Sequence, residues 1–309
     1  MFAFRVFLSF LMIAALPAAP GSAAPMAELL QAGKTPVSTC QAIAQNLDQI
    51  PANTKVNYVN FDPLRRPGPR IETISSHTDF AIDTDSDRVL TPFEVRISYF
   101  DHSSYIIESA AGITVATDYF GYVQYQGSSL IPTIVTMNKA HSSHFAASPD
   151  SRISYILPGW GDGVPAKHLM QVEDVLVRNV TTDIIRGGFR EVDANSIFIF
   201  EVAGLCIGHL GHLHHALTDS HYANIGRLDV VMVPIDGAMT LSLPGMVEIV
   251  KRLRASVILP MHARGFATAD TLISMLGDSF DNIRLPGQTM IFSVNTLPRR
   301  PTAVIPQGL

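Results

Sequence analysis

Five histidines share a placement that could support metal chemistry, because each lies at or just beyond the end of a predicted β-strand. They are His141, His144, His209, His212 and His262. Imidazole nitrogens bind zinc and other first-row metals, and histidines from distant segments can meet where strands end at one edge of a sheet. A single histidine of this kind would more often be a core or surface residue, whereas five on three strand ends favour one shared metal site. His214, His215 and His221 lack this placement, and we expect them at the surface.

The elements that must position these histidines alternate between strands and helices. Strands are predicted at residues 94–100, 103–109, 112–118, 134–136, 172–180, 196–202, 205–208, 229–237, 256–260 and 288–294. Amphipathic helices are predicted at 246–255 and 268–276, with a shorter helix capped by Thr218 and ended by Gly226. This alternation is typical of α/β proteins. We expect residues 158–168, with the only tryptophan, Trp160, to form a loop over the site.

The order of five segments resembles the metallo-β-lactamase superfamily, most closely its ascorbate-6-phosphate-lactonase-like branch. These segments are GITVATD, IVTMNKAHSSH, CIGHLGH, DVVMVPIDG and VILPMH, and the resemblance covers about residues 93–295. It implies an α/β fold, the four-layer αββα sandwich. It also implies a metal-dependent hydrolase that directs metal-activated water at an ester, lactone, amide or phosphoester of a small molecule.

The resemblance assigns metal-binding roles by position. His141 and His209 would be ligands of a first metal, and His144 and His262 would be ligands of a second. Two further residues would act beside the metal. Asp118 would hold a ligand histidine in one tautomer, and His102 matches a histidine that follows the first strand in that branch.

Three departures from the family motif change this expectation. Lys139 replaces the first histidine of H-x-H-x-D-H, Ser143 replaces its aspartate, and His212 replaces an aspartate that would bridge two metals. A neutral imidazole has one free lone pair and cannot bridge two cations. The sequence therefore predicts one divalent transition metal per chain and favours zinc.

Lys139 would lie beside that metal as a fixed positive charge. Its ammonium could stabilise an oxyanion or bind an anionic substrate group, or it could fill the vacated metal position. The lost carboxylates keep a second class of function open. In this alternative the protein is a non-catalytic periplasmic domain that keeps the fold and a structural or ligand-binding metal.

The first residues predict export. An apolar run of residues 6–16 follows Arg5 and ends in small residues, which is typical of a cleavable signal peptide. The predicted organisation is a signal peptide at 1–23, an N-terminal extension at 24–92, the domain that resembles the metallo-β-lactamase fold at 93–296 and a proline-rich tail at 297–309. We expect a periplasmic or secreted protein without membrane insertion after cleavage. The formal net charge of −5 argues against a nucleic-acid partner.

Two smaller features stay open. Cys40 and Cys206 could pair in an oxidising compartment, but Cys206 lies in an apolar run where free cysteines are often small buried hydrophobes. Residues 83–94, DTDSDRVLTPFE, resemble an EF-hand calcium loop. Arg88 stands where that loop needs glycine, and a strand follows where it needs a helix, so a solvated acidic turn is favoured.

Overall fold

A computed structural model describes residues 36–41, 82–139 and 141–309, which all belong to one compact unit, Pro36–Leu309. The predicted signal peptide, most of the N-terminal extension and residue 140 lie outside the described residues. The described strands are β1 Val95–Asp101, β2 Ser104–Ser109, β3 Thr114–Ala116, β4 Gln124–Tyr125, β5 Ser128–Ser129, β6 Ile134–Met137, β7 Tyr155–Pro158, β8 Leu169–Val172, β9 Val175–Arg186, β10 Phe189–Val202, β11 Leu205–His209, β12 Val230–Pro234, β13 Val257–Met261, β14 Asp281–Arg284, β15 Thr289–Phe292 and β16 Thr302–Ile305.

Fourteen of these strands form two large sheets that face each other, and β4 and β5 form a separate two-stranded sheet. The six-stranded sheet has the order β15-β1-β2-β3-β6-β7, and the eight-stranded sheet has the order β14-β16-β13-β12-β11-β10-β9-β8. Side chains alternate between the two faces of a strand. In β2, Tyr105 and Ile107 join the main core between the sheets, whereas Ile106 joins a smaller apolar cluster with Tyr119 and Ile153. Both faces of the six-stranded sheet are therefore covered.

Three α-helices connect the strands of the eight-stranded sheet. They are α1 Asp219–Ile225, α2 Leu243–Leu253 and α3 Phe266–Leu276. Strands β11, β12 and β13 run parallel, and a parallel connection requires a crossover of this kind. Thr218 caps α1 and Gly226 ends it, as predicted. The expected α/β sandwich is confirmed. No described helix has the length and hydropathy of a membrane span.

Two regions differ from the sequence prediction. Strands β9 and β10 form one long hairpin, because Gly187 and Gly188 supply a tight turn with φ values of 56° and 84°. The last two residues of β9 and the first four residues of β10 are exposed, and the buried positions that adjoin them include the polar residues Thr182, Asp183 and Asn195. An apolar pattern therefore does not reveal this part of the hairpin. The proline-rich tail contributes β16, which lies buried between β13 and β14.

Cys40 and Cys206 form a disulfide bond, although the apolar surroundings of Cys206 favoured a free thiol. The bond joins the described residues 36–41 to β11, and a buried ion pair supports the same attachment. Arg178 Nε donates to Glu201 Oε1 at 2.9 Å, and Glu201 Oε2 accepts from the backbone N–H of Thr39 at 2.7 Å. The two cysteines are 166 residues apart in the chain, so the folding of residues 36–41 against the eight-stranded sheet brings them together.

Residues 83–94, called the acidic turn below, contain their own cation. The Arg88 guanidinium lies 2.8 Å from the Asp83 carboxylate and 2.9 Å from the Glu94 carboxylate. These hydrogen bonds hold the pKa of Glu94 at about 2. The guanidinium thus occupies the space between the two carboxylates where a calcium ion would bind. The segment is an acidic turn, as the sequence favoured, and not a calcium loop.

Candidate metal centre

Five histidines gather where the two sheets meet. The nitrogens of His102, His141, His144 and His262 that could bind a metal lie within 4.8 Å of one another. The ring centre of His212 lies 4.7 Å from that of His144 and 4.8 Å from that of His262. We call these five residues the histidine cluster. They come from the β1–β2 turn, the loop after β6, the segment after β11 and the end of β13.

The inner nitrogens of the histidine cluster have no partner. In all five rings Nε2 is buried and makes no hydrogen bond, and only two other buried side-chain atoms of the described residues share this state, Arg96 Nε and Thr136 Oγ1. A buried polar atom without a hydrogen bond costs roughly 1–3 kcal/mol, so folded proteins seldom collect several of them in one place. A bound metal ion would satisfy these nitrogens together.

The outer nitrogens of two cluster members face carboxylates. His144 Nδ1 lies 2.6 Å from Asp118 Oδ2, and His262 Nδ1 lies 3.3 Å from Asp236 Oδ1. Asp118 also accepts a hydrogen bond from Asn138 Nδ2 at 2.7 Å. Such carboxylates fix the ring orientation and keep the proton on Nδ1, which leaves the Nε2 lone pair for a metal.

Two other members have neutral partners. Ser143 Oγ lies 2.8 Å from His141 Nδ1, so the serine at the motif's aspartate position contacts a candidate ligand. His212 Nδ1 lies 2.8 Å from His214 Nε2, and His214 also hydrogen-bonds the backbone of Ile185. His214, expected at the surface, is therefore half-buried and orients His212.

The ionisation of the cluster suits metal binding. Burial, with repulsion from neighbouring imidazoles, lowers the pKa of His102 and of His141 to about 4 and that of His212 to about 2. Burial alone would raise the pKa of Asp118, but the charges of His144 and His209 and its hydrogen bonds lower it well below the ordinary value. At neutral pH the rings of His102, His141 and His212 are thus neutral donors, and the carboxylate of Asp118 is charged.

The backbone at the cluster adopts a rare conformation. His102, Asp118 and His262 have φ values of 50°, 44° and 51°, in the left-handed region that side chains usually avoid. The backbone N–H of His262 donates to the carbonyl of His102 at 2.7 Å, which links the two sheets at this point. Such residues persist where surrounding contacts hold them, often at functional sites.

His209 does not belong to the cluster, so its assignment as a metal ligand is wrong. Its Nε2–H donates to the Ser103 carbonyl at 2.8 Å, and its Nδ1 accepts from the Gly211 N–H at 3.1 Å. Both nitrogens are occupied, and the proton sits on the nitrogen that a ligand would need free. His209 instead holds the turn that carries His102. His102, which we expected beside the metal, is one of the candidate ligands in the histidine cluster.

Lys139 also lies away from the cluster. Its Nζ pairs with Glu191, and the lysine side chain is 46% exposed. It lines a cavity of about 260 Å³ with Trp160, and none of the cluster histidines lines that cavity. The preceding Asn138 is the residue that turns inward, toward Asp118 and the Ser196 N–H. The prediction that Lys139 places a positive charge beside the metal is therefore wrong. Trp160, expected in a loop over the site, lines this other cavity instead.

Asp236 was missed in the sequence. It follows β12 in the segment DVVMVPIDG, at the same kind of strand end that drew attention to the histidines. Its carboxylate is 2% exposed and accepts hydrogen bonds from the backbone N–H groups of Ala238 and Met239. Burial would raise its pKa, but the hydrogen bonds from His262, Thr240 and this backbone lower it well below the ordinary value.

The family follows from the sequence itself. A family model described as the beta-lactamase superfamily domain matches residues 96–262, more than half of the 309 residues. The chain belongs to the metallo-β-lactamase superfamily. A search of curated proteins found no match.

Solved structures of metallo-β-lactamase-fold proteins are similar at low identity. A Thermotoga maritima protein of this superfamily is 24% identical, with 69% of this chain and 98% of that chain covered and a TM-score of 0.49. The metallo hydrolase Igni18 from Ignicoccus hospitalis is 16% identical, with 65% and 99% covered and a TM-score of 0.47. YhfI from Bacillus subtilis is 11% identical, with 70% and 97% covered and a TM-score of 0.43.

Proposed function

We propose that this metallo-β-lactamase-superfamily protein is a hydrolase that depends on one divalent transition metal, zinc being favoured, bound by the histidine cluster. The observation that carries the proposal is the set of five buried Nε2 atoms without hydrogen bonds. A set of imidazole ligands suits zinc, and also copper, nickel or iron. No carboxylate belongs to the cluster, which disfavours two cations side by side.

The chain's own residues have defined tasks in this proposal. The Nε2 atoms of the cluster would hold the metal. Four rings are oriented through Nδ1 by Asp118, Asp236, Ser143 and His214. Once bound, zinc supplies Lewis acidity and lowers the pKa of a water molecule to ~7. The low pKa values of Asp118 and Asp236 keep both carboxylates charged at neutral pH, so the Nδ1 protons stay on the imidazoles.

Substrate type and location extend the proposal. We propose an ester, lactone, amide or phosphoester as substrate, within or near the lactonase-like branch, and a periplasmic or secreted protein. The disulfide between Cys40 and Cys206 supports an oxidising compartment, where such bonds persist. The apolar run near the start of the sequence supports export.

A non-catalytic metal-binding domain is the second candidate. Lys139 pairs with Glu191 and does not belong to the cluster, and the cluster contains no carboxylate. The described cluster therefore lacks a lysine or carboxylate that could act on a substrate, which favours this candidate. The two candidates share the metal and differ in turnover, so one series of measurements separates them.

The test begins with elemental analysis of protein purified without added metal or chelator. We expect about one metal ion per chain. The loaded protein is then assayed on a nitrophenyl ester, a lactone, an anilide and a phosphodiester, with His141→Ala as the inactive reference. Turnover that disappears in His141→Ala supports the hydrolase. A loaded protein without turnover supports the second candidate, and absence of metal after reconstitution contradicts both.

A further inference from the structure

The histidine cluster opens into a cavity of about 370 Å³, a size typical of small-molecule sites. The cluster members His141 and His212 form part of its wall, together with His214. The remaining wall comes from Ile185, Arg186 and Gly187 at the tip of the β9–β10 hairpin and from Ala238 and Met239 after β12. A substrate that reaches the cluster from this cavity therefore passes the hairpin tip.

Arg186 gives this cavity its charge. It is the only arginine, lysine, aspartate or glutamate among the described residues that line the cavity. Asp236 lies close by in the chain, but its carboxylate is held by His262, Thr240 and the backbone. Arg186 and the cluster members His141 and His212 line the same cavity, which places this cation beside the cluster.

The position of Arg186 is fixed by the fold. It is the last residue of β9, pairs with Phe189 across the Gly187–Gly188 turn, and follows Ile185, whose backbone is hydrogen-bonded by His214. His214 in turn contacts His212 at 2.8 Å. One continuous set of contacts therefore connects the candidate metal ligand to the hairpin tip and sets where Arg186 stands.

The rest of the cavity wall is apolar. Ile185 is 41% exposed and Met239 is 52% exposed, so both present apolar surface at the cavity. Methionine adapts to different apolar shapes. The wall thus combines one cation with a short apolar surface beside the candidate metal.

We infer that the protein selects small anionic substrates with a short apolar body, and that Arg186 binds the anionic group while the reacting bond lies at the histidine cluster. This inference rests on the proposed function and adds its substrate class. Arginine binds carboxylate and phosphate groups through paired hydrogen bonds. No aspartate or glutamate is among the described residues that line the cavity, so no carboxylate on the wall repels such a substrate.

The test compares two nitrophenyl esters of equal length, the neutral butyrate and the anionic succinate monoester, on zinc-loaded protein. In wild type we expect a higher kcat/KM for the anionic ester. In Arg186→Gln we expect the ratio of anionic to neutral kcat/KM to fall about tenfold, as for one partly exposed charge-assisted hydrogen bond. The matched control is Arg190→Gln, because Arg190 lies on the same hairpin, pairs with Asp183 and does not line the cavity.

A binding measurement keeps the inference separate from catalysis. Calorimetric titration with hexanoate and with neutral hexanamide should show hexanoate binding that weakens about tenfold in Arg186→Gln and is retained in Arg190→Gln. Hydrolysis of both esters with an unchanged ratio in Arg186→Gln, and unchanged hexanoate binding, would overturn the inference and leave the hydrolase intact. Arg186-dependent hexanoate binding without hydrolysis of either ester would sustain the anion selectivity and contradict the proposed hydrolase.

Discussion

The acidic turn and the histidine cluster are both rich in metal-binding side chains, yet they differ in what their donors contact. In the acidic turn the carboxylates of Asp83 and Glu94 surround the guanidinium of Arg88. In the cluster the outer nitrogens of four rings have partners, and the five inner nitrogens have none. The comparison shows that the types of residue and their spacing identify candidates, whereas the unsatisfied buried atoms indicate which candidate needs an ion.

The largest effect should come from removing a cluster nitrogen. We expect His141→Ala to lose most of its metal and to lower hydrolysis at least about a hundredfold, because the metal supplies the chemistry. His221→Ala is the control, since His221 lies on α1 and hydrogen-bonds Thr218. Metal content by elemental analysis checks the result. Equal metal in His141→Ala and wild type would mean that the open nitrogens do not bind an ion.

The next effect should come from a partner of a ligand. Asp236→Asn removes the charge beside His262 Nδ1, and loss of such a partner typically lowers metal affinity by about 10- to 100-fold. Competition with a chelator measures the affinity. Asp270→Asn is the matched control, because Asp270 is exposed and pairs with Arg284. An affinity equal to that of the control would show that Asp236 only shapes the loop after β12.

Acidification should distinguish the cluster from the acidic turn. In the metal-free protein the pKa values of His102 and His141 are about 4 and that of His212 is about 2, whereas unfolded histidines titrate near ~6.5. The unfolded chain therefore binds more protons below pH ~6.5. The free energy of unfolding is therefore unaffected by these histidines above pH ~6.5, and it decreases as the pH falls from ~6.5 toward 4.

The midpoint temperature of unfolding of metal-free protein, measured from pH 7 to pH 5, checks this sign. Glu94 of the acidic turn does not produce a loss in this range, because its contribution is lost only as the pH falls from its ordinary pKa of 4.5 to its folded pKa of about 2. A midpoint that stays constant from pH 7 to pH 5 would contradict the lowered pKa values of His102, His141 and His212.

Calcium should have a smaller effect, and only after Arg88 is changed. We expect wild-type unfolding to be insensitive to millimolar calcium, because the guanidinium already neutralises the turn. In Arg88→Gln the carboxylates of Asp83 and Glu94 lose this partner, and added calcium should raise the midpoint slightly. A calcium response of the wild-type protein would remove the contrast between the two sites.

The smallest effect is expected at Lys139, whose charge is matched by Glu191 as that of Arg88 is matched in the acidic turn. Lys139→Met should keep metal content and turnover within about twofold of wild type, as is usual for an exposed ion pair. Lys139→His should not raise the number of bound metals. A large fall in turnover in Lys139→Met would show that Lys139 acts at the metal centre and would contradict its assignment as an exposed ion-pair residue.

The sequence by itself determined the sandwich and most of the cluster. Apolar runs that end in histidine predicted His141, His144, His209, His212 and His262 as neighbours, and all of these except His209 lie in the cluster, where ends of strands from both sheets meet. It also predicted Asp118 at the end of β3, where the structure places it beside His144. These features depend on local periodicity and on the order of the elements, which a sequence records directly.

Only the tertiary structure decided which nitrogens remain open. His209 and His212 follow the same apolar run, but the Ser103 carbonyl, about a hundred residues away in the chain, occupies Nε2 of His209 alone. Glu191 draws Lys139 outward, and Cys40 finds Cys206 across a separation of 166 residues. Hydrogen bonds, ion pairs and disulfides of this kind form between atoms that the fold brings together, so residue type and spacing along the chain do not specify them.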